Sequence, residues 1–236
     1  MKYIYDPEIH NLTAAREMVP YFIQLFNPKS VIDFGCGLGD WLEAFREQGV
    51  NEILGIDFQI ASEIPIRIPI ENYLTHDLCK PLNYAKRFDL ALCLEVAEHL
   101  PEVCANQLVE TLTSLSDTII FSAAIPHQGG QGHLNEQSPM YWELLFHKHG
   151  YYFYDLIRPR FWNNDKIKWW YRQNSFIVSK AKIDLEIHSL PSTNMYVHPQ
   201  LFQQQQLKLE QLELYPGIKK SFELLLRAIK FKVSGK

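Results

Sequence analysis

The chain has 236 residues, a formal net charge of −4, 47% hydrophobic residues and 21% charged residues. That length suits one α/β domain with an appendage rather than two full domains, and it is enough to bury a sizeable core without staples. No broad basic stripe suggests a nucleic-acid partner. No run of about 18 apolar residues spans a membrane, and residues 1–10 carry no apolar signal core, so the expected location is the cytoplasm. The four cysteines, Cys36, Cys79, Cys93 and Cys104, form no CxxC pair. They read as small apolar fillers in a reducing compartment.

In chain order, Met18, Phe22, Leu25 and Phe26 recur at helical spacing, which predicts a helix over Thr13–Phe26, capped by Thr13 and stopped by Pro28. Ser30–Phe34 is a short strand. A glycine-rich turn leads to a second helix, marked by Trp41, Leu42 and Phe45 and ended by Gly49, and Glu52–Ile56 is a strand ending at Asp57. Strand, turn, helix and strand in this order make a βαβ unit. Pro65 and Pro69 argue against a helix before Tyr73. Phe88–Leu94 is an apolar run of the kind a strand buried on both faces shows. Ala105–Leu115 reads as a helix and Asp117–Ser122 as a strand. Pro126–Ser138 is a polar, glycine-containing loop, and Pro139 opens a helix that Gly150 ends. Tyr151–Ile157 and Ser175–Ser179 read as late strands. The alternation predicts an α/β fold in three layers: a mostly parallel sheet with helices on both faces. We divide the chain into a domain over 1–182 and a C-terminal helical extension over 183–236. In that extension Ile218, Phe222, Leu225, Ile229 and Val233 form an apolar stripe among lysines.

The turn Asp33-Phe34-Gly35-Cys36-Gly37-Leu38-Gly39 lies between a strand and a helix, where glycines let the backbone approach a ligand closely. Ligands of open α/β sheets bind at the carboxyl ends of the strands. A dinucleotide fingerprint needs glycine or alanine at position 40, and this chain has Asp40, whose charge would repel a pyrophosphate. S-adenosylmethionine (SAM) has no phosphate and carries a sulfonium cation, so the loop favours SAM over NAD. Asp57, 22 residues after Gly35 and followed by Phe58, is placed to accept from both ribose hydroxyls. Asp77 can accept from the adenine amino group while the Leu78 N–H meets a ring nitrogen.

The stretch Val31–Gly39 resembles the glycine motif of class I SAM-dependent methyltransferases, and Phe88–Leu100 is similar to the fourth-strand motif of the same family. The resemblance runs from about Lys29 to Ser122. It implies a Rossmann-like sheet of seven strands with the last antiparallel, and S-adenosylhomocysteine as product. It further implies that Gly35, Gly37, Asp57, Asp77 and the backbone near Leu94 contact SAM. We assign Asp33, Cys36, Gly39, Phe58, Leu78, Glu95 and His99 to the same cofactor site.

The segment Gly130–Gln137, with Arg158–Trp162 and Trp169–Asn174, looks like a methyltransferase subgroup that accompanies glycosyltransferases in surface-polysaccharide or natural-product biosynthesis. This implies a small-molecule acceptor such as a sugar, methylated on a hydroxyl; N- or C-methylation of another small acceptor, and a non-catalytic SAM-binding scaffold, are the alternatives. A hydroxyl acceptor needs a base within reach of its proton, and histidine is suited by its pKa near 6.5. We take His133, presented by a glycine-flanked loop, as the base, and Glu136 as its orienting partner. His127, Asn135, Tyr141, Trp142, Arg158 and Trp162 are the candidate acceptor contacts. A metal-assisted variant would draw ligands from His133, Glu136 and Glu95, but no tight ligand spacing such as HExxH is present, so no metal is expected. The basic helix over 216–236 suits either packing on the protein or contact with a membrane surface or a glycosyltransferase.

Overall fold

The computed structural model describes residues 11–58, 65–183, 194–214 and 221–226. It divides into two compact units, residues 1–196 and residues 197–236.

The first unit is built on one seven-stranded sheet. Its strands are β1 (Ser30–Phe34), β2 (Glu52–Asp57), β3 (Tyr73–Thr75), β4 (Leu90–Leu94), β5 (Thr118–Ser122), β6 (Tyr152–Tyr154) and β7 (Phe176–Ser179). The order across the sheet is β3-β2-β1-β4-β5-β7-β6. β1 to β5 run parallel, and β7 is antiparallel to both β5 and β6. This is the Rossmann-like seven-stranded arrangement the sequence implied, with the reversed strand inserted next to the edge.

The central strands β1, β4, β5 and β7 are buried on both faces, and side chains alternate between them because a strand has period two. Ile32, Phe34, Ala91, Cys93, Ile119, Phe121, Phe176 and Val178 enter one hydrophobic cluster with Leu108, Leu112, Trp142 and Phe146. Val31, Leu90, Leu92, Leu94, Ile120 and Ile177 enter the other with Met18, Phe22, Leu42 and Phe45. Helices α3 (Ala105–Leu115) and α4 (Pro139–His147) therefore cover the first face. Helices α1 (Leu12–Phe26), α2 (Asp40–Glu47) and α5 (Ile157–Phe161) cover the second. Helix α6 (Trp169–Asn174) leads into β7.

Four readings change. The cap of α1 is Asn11, whose side chain accepts from the Thr13 N–H; Thr13 lies inside the helix. Helix α1 stops at Asn27 in the left-handed conformation (φ 42°), one residue ahead of Pro28. The strand expected over Tyr151–Ile157 ends at Tyr154, and Ile157 already begins α5. Asp155 there ion-pairs with Arg158 at 2.6 Å, an i,i+3 contact that fits a helical turn and not a strand. Finally, Cys79 and Cys104 form a disulfide, so only Cys36 and Cys93 are free thiols, both buried.

In the second unit α7 (Pro199–Leu214) is a helix, and residues 221–226 are helical and exposed. The rest of the expected amphipathic stripe, 215–220 and 227–236, lies outside the described residues. Among the described residues no helix is long and apolar enough to cross a membrane.

Candidate functional site

The cofactor end forms where β1 and β2 stop. Gly35, Gly37 and Gly39 all have left-handed φ (+72°, +55° and +82°), which only glycine adopts without strain. The Gly35 and Cys36 N–H groups both donate to the Ile56 carbonyl at 2.7 and 3.0 Å, tying the loop to the end of β2. A Cβ on Gly35 would lie 2.3 Å from Val96 Cγ2, so the loop also packs directly on the turn after β4. Asp57 Oδ2 accepts from the Gly37 N–H and Oδ1 from the Phe58 N–H, each at 2.7 Å. These bonds fix the carboxylate at the carboxyl end of β2, where a ribose diol is read in this kind of sheet. The glycine turn and the oriented Asp57 fit an adenosyl group.

Asp33 is buried in β1, and its Oδ2 meets no donor among the described residues. Burial, then the charges of Asp57 and Asp40, hold its pKa well above the usual carboxylate range. Burial likewise pushes the Cys36 thiol up. Neither is a strong point of charge for a ligand. Asp77 Oδ1 accepts from the Cys79 N–H at 3.0 Å, and Lys80 lies 3.5 Å from its other oxygen, so it shapes the turn after β3. Leu78 beside it is buried, Leu94 ends β4 in the core, and Phe58 is exposed at the rim.

Asp40 corrects one expectation. Its carboxylate is ion-paired with Arg67, so the loop does not present the bare negative charge assumed against a pyrophosphate. The case against a dinucleotide rests on Asp40 standing where the fingerprint needs a small residue.

The acceptor end forms beyond β4 and β5. Glu95 adopts φ 55° at the exit of β4, a costly conformation for a non-glycine residue, and its N–H donates to Ser122. Its carboxylate accepts from Asn174 Nδ2 at 3.0 and 3.1 Å and from Gln128 Nε2 at 3.4 Å. Gln173 and Asn174 both donate to Gln128 Oε1, closing a buried amide network. Burial raises the pKa of Glu95, and the bonds from Asn174, Ser122 and Gln128 oppose that rise.

The short 3₁₀ turn Ala97–His99 follows. The Glu98 carbonyl accepts from the Leu134 and Asn135 N–H groups at 2.7 and 3.0 Å, which draws the loop after β5 onto this turn. The rings of His99 and His133 consequently meet edge to face, with centroids 5.0 Å apart. His133 Nδ1 lies 2.8 Å from Glu136 Oε1, which also accepts from the Gly129 N–H at 2.6 Å. A Cβ on Gly130 would lie 2.2 Å from His133 Nε2, so that glycine leaves room for the ring. The Glu98 side chain is fully buried; its own and the Ala124 backbone N–H groups and the Glu95 side chain face the carboxylate, but neither oxygen makes a hydrogen bond of ordinary geometry among the described residues. Burial, then the neighbouring Glu95, pushes its pKa well above the usual range. Burial, then His133, lowers that of His99.

The structure thus brings His133, Glu136, His99 and Glu95 together. Asn135 is buried beside them, its Oδ1 accepting from Gln137. It does not support Arg158 or Trp142 as acceptor contacts. Arg158 is 2% exposed, bonded to Asp155 and the Asn194 carbonyl and stacked between Phe176 and Tyr196. Trp142 packs in the core against Phe121. Tyr141 is half-buried against Trp142, Trp162 stacks near Tyr196, and His127 is exposed on a turn with φ 68°. Sequence reasoning gave no role to Glu98, Gln128 and Asn174. Asn174 reaches Glu95 across 79 residues, and only the topology reveals it.

Residues 9–178 match the model of a family described as a methyltransferase domain. The chain is 32% identical to the ubiquinone biosynthesis O-methyltransferase of Histophilus somni (strain 2336) over 40% of its own length; it spans only 44% of that relative. The fold is similar to that of DesVI from Streptomyces venezuelae (TM-score 0.55, 12% identity, covering 76% of this chain and 100% of that one). It is also similar to a SAM-dependent methyltransferase from Clostridium acetobutylicum ATCC 824 (TM-score 0.54, 10% identity, covering 72% and 92%). With the glycine turn and Asp57 in place at the head of this Rossmann-like sheet, the chain belongs to the methyltransferase-domain family.

Proposed function

We propose that this chain is a SAM-dependent methyltransferase that acts on a hydroxyl group of a small molecule, such as a sugar or a glycosylated metabolite. The observation that carries the reading is the His133–Glu136 pair at the carboxyl edge of the sheet, with His99 beside it. Methyl transfer from a sulfonium needs no help at the leaving group. A hydroxyl must lose its proton, and that calls for a basic group at the acceptor. Glu136 orients the imidazole through Nδ1, which leaves Nε2 as the atom to face the acceptor. The Histophilus somni relative is an O-methyltransferase by name, in keeping with an oxygen acceptor. Protein and SAM incubated with a panel of sugars, phenols and amines should methylate oxygen acceptors, read by mass spectrometry. Turnover confined to amines would overturn the reading. His133→Ala should bind SAM normally and lose turnover by about 10²-fold; an unchanged rate would remove His133 from the chemistry.

A cytoplasmic location belongs to the same proposal. It requires Cys79 and Cys104 to be recovered as thiols when cells are alkylated before lysis, because disulfides are rare in that compartment. Recovery of the bridge would point outside the cytoplasm.

A further inference from the structure

We propose that Glu98, His99 and His133 form a binding site for a divalent transition-metal cation, with Glu136 as the partner that orients His133. The inference deepens the reading above, since it supplies the acceptor hydroxyl with a Lewis acid.

One ligand atom from each of the three residues lies within 4.8 Å of the other two. Ligands held about 2.1 Å from one tetrahedrally coordinated ion lie roughly 3.4 Å apart, so side-chain adjustments of up to about 1.4 Å in the widest pair complete the set. Two further observations point to a cation. The Glu98 carboxyl is wholly buried and neither oxygen makes a hydrogen bond of ordinary geometry among the described residues, although the Ala124 N–H and Glu95 lie close by. A polar group in that state is costly unless something that binds it fills the place, and buried carboxylates are commonly paired or coordinated to metal. His133 meanwhile has Nδ1 against Glu136, the carboxylate–histidine pairing that fixes a metal-ligating ring. Glu136 is itself held by the Gly129 N–H, so the orienting carboxylate is anchored in turn.

Two imidazoles and one carboxylate favour a transition cation such as Mn²⁺ or Zn²⁺ over Ca²⁺, which prefers oxygen donors throughout. Three protein ligands leave positions open for water or an acceptor oxygen. Metal coordination would lower the pKa of a bound hydroxyl, so that its proton could pass to solvent water as the methyl group is transferred. With the ion in place His133 serves as ligand rather than proton acceptor. The local spacing that argued against a metal could not show this set, because His133 joins Glu98 and His99 through the Leu134 and Asn135 bonds to the Glu98 carbonyl.

Mn²⁺ is the probe. Full-length protein stripped with EDTA and dialysed is titrated with Mn²⁺ by calorimetry and followed by electron paramagnetic resonance. One ion per chain is expected. Glu98→Gln and His99→Ala should each weaken the affinity at least tenfold, and Glu136→Ala by about 10- to 100-fold. Exposed Glu110→Gln should leave it unchanged. Far-UV circular dichroism and a cooperative thermal melt, measured on every variant, verify that each has folded. Absence of Mn²⁺ binding, or binding that ignores Glu98 and His99 in folded variants, overturns the cation site. The hydroxyl reading fails separately, if Mn²⁺ binds as expected and the loaded enzyme methylates amines alone.

Discussion

Gly35 shows how tightly the cofactor turn is specified. Its φ of +72° and the mere 2.3 Å that would separate an added Cβ from Val96 Cγ2 are independent objections to any side chain there. Gly35→Ala should destabilise the protein by about 1–2 kcal/mol from the backbone conformation alone. The clash with Val96 adds to that cost. Urea unfolding of Gly35→Ala beside Gly35→Ala/Val96→Ala separates the two, since the second change relieves only the clash; equal stability of the native and Gly35→Ala proteins would contradict the geometry. This residue was legible in the sequence because glycines with a strand before them and a helix after them have few other uses. Asp57 was legible for the same reason, as the last residue of the next strand. Asp40 was legible in identity but not in charge state, because Arg67 arrives from a loop with no pattern of its own. Glu98 was illegible: nothing in a Glu-His pair tells a solvated surface from a buried carboxyl.

Among the elements, strands β1, β4 and β5 announced themselves as continuous apolar runs, because both of their faces are covered. Short edge elements did not. The aromatic run Tyr151–Tyr154 suits a strand, and the chain leaves it at Asp155 because the Asp155–Arg158 pair closes a helical turn that composition alone does not display. The start of α1 was misread by two residues, since Asn11 and Thr13 are both good caps and only the bond from the Thr13 N–H to Asn11 Oδ1 (3.0 Å) decides between them. Asn11→Ala should cost about 1 kcal/mol of unfolding free energy, whereas Thr13→Ala should cost less. Chemical denaturation of the two variants ranks them, and the reverse order would restore Thr13 as the cap.

At the scale of the whole molecule, the fold class followed from alternation and the sheet's width from family likeness, but the meeting of the site's parts depended on topology. Stability at high pH also belongs to this scale. Tyr151 is buried where α3 ends and β5 begins, its hydroxyl 2.9 and 2.8 Å from the Thr113 and Ser116 carbonyls. Burial pushes its pKa up to about 12. The folded form therefore holds the proton more tightly than the unfolded chain, whose tyrosines titrate near 10. Its contribution is fully present below about pH 10 and is lost as pH rises toward 12. Unfolding free energy measured between pH 9 and 12 should fall with a slope that is shallower in Tyr151→Phe; parallel slopes would show that another group governs the decline.

The reversal of β7 also decides where the chain leaves the sheet. Its first residue, Phe176, pairs with Phe121 near the exit of β5, and its last, Ser179, pairs with Thr118 at the entrance. A strand laid in backwards delivers Gln173 and Asn174 to the edge that holds Glu95 and Gln128, and discharges the chain at the opposite rim. Three steps of strand rise, about 10 Å, separate those two rims. The chain does not stay there: the Asn194 carbonyl and the Tyr196 ring both meet Arg158, which covers Phe176, so residues 194–196 are pinned beside the rim from which the reversed strand set out.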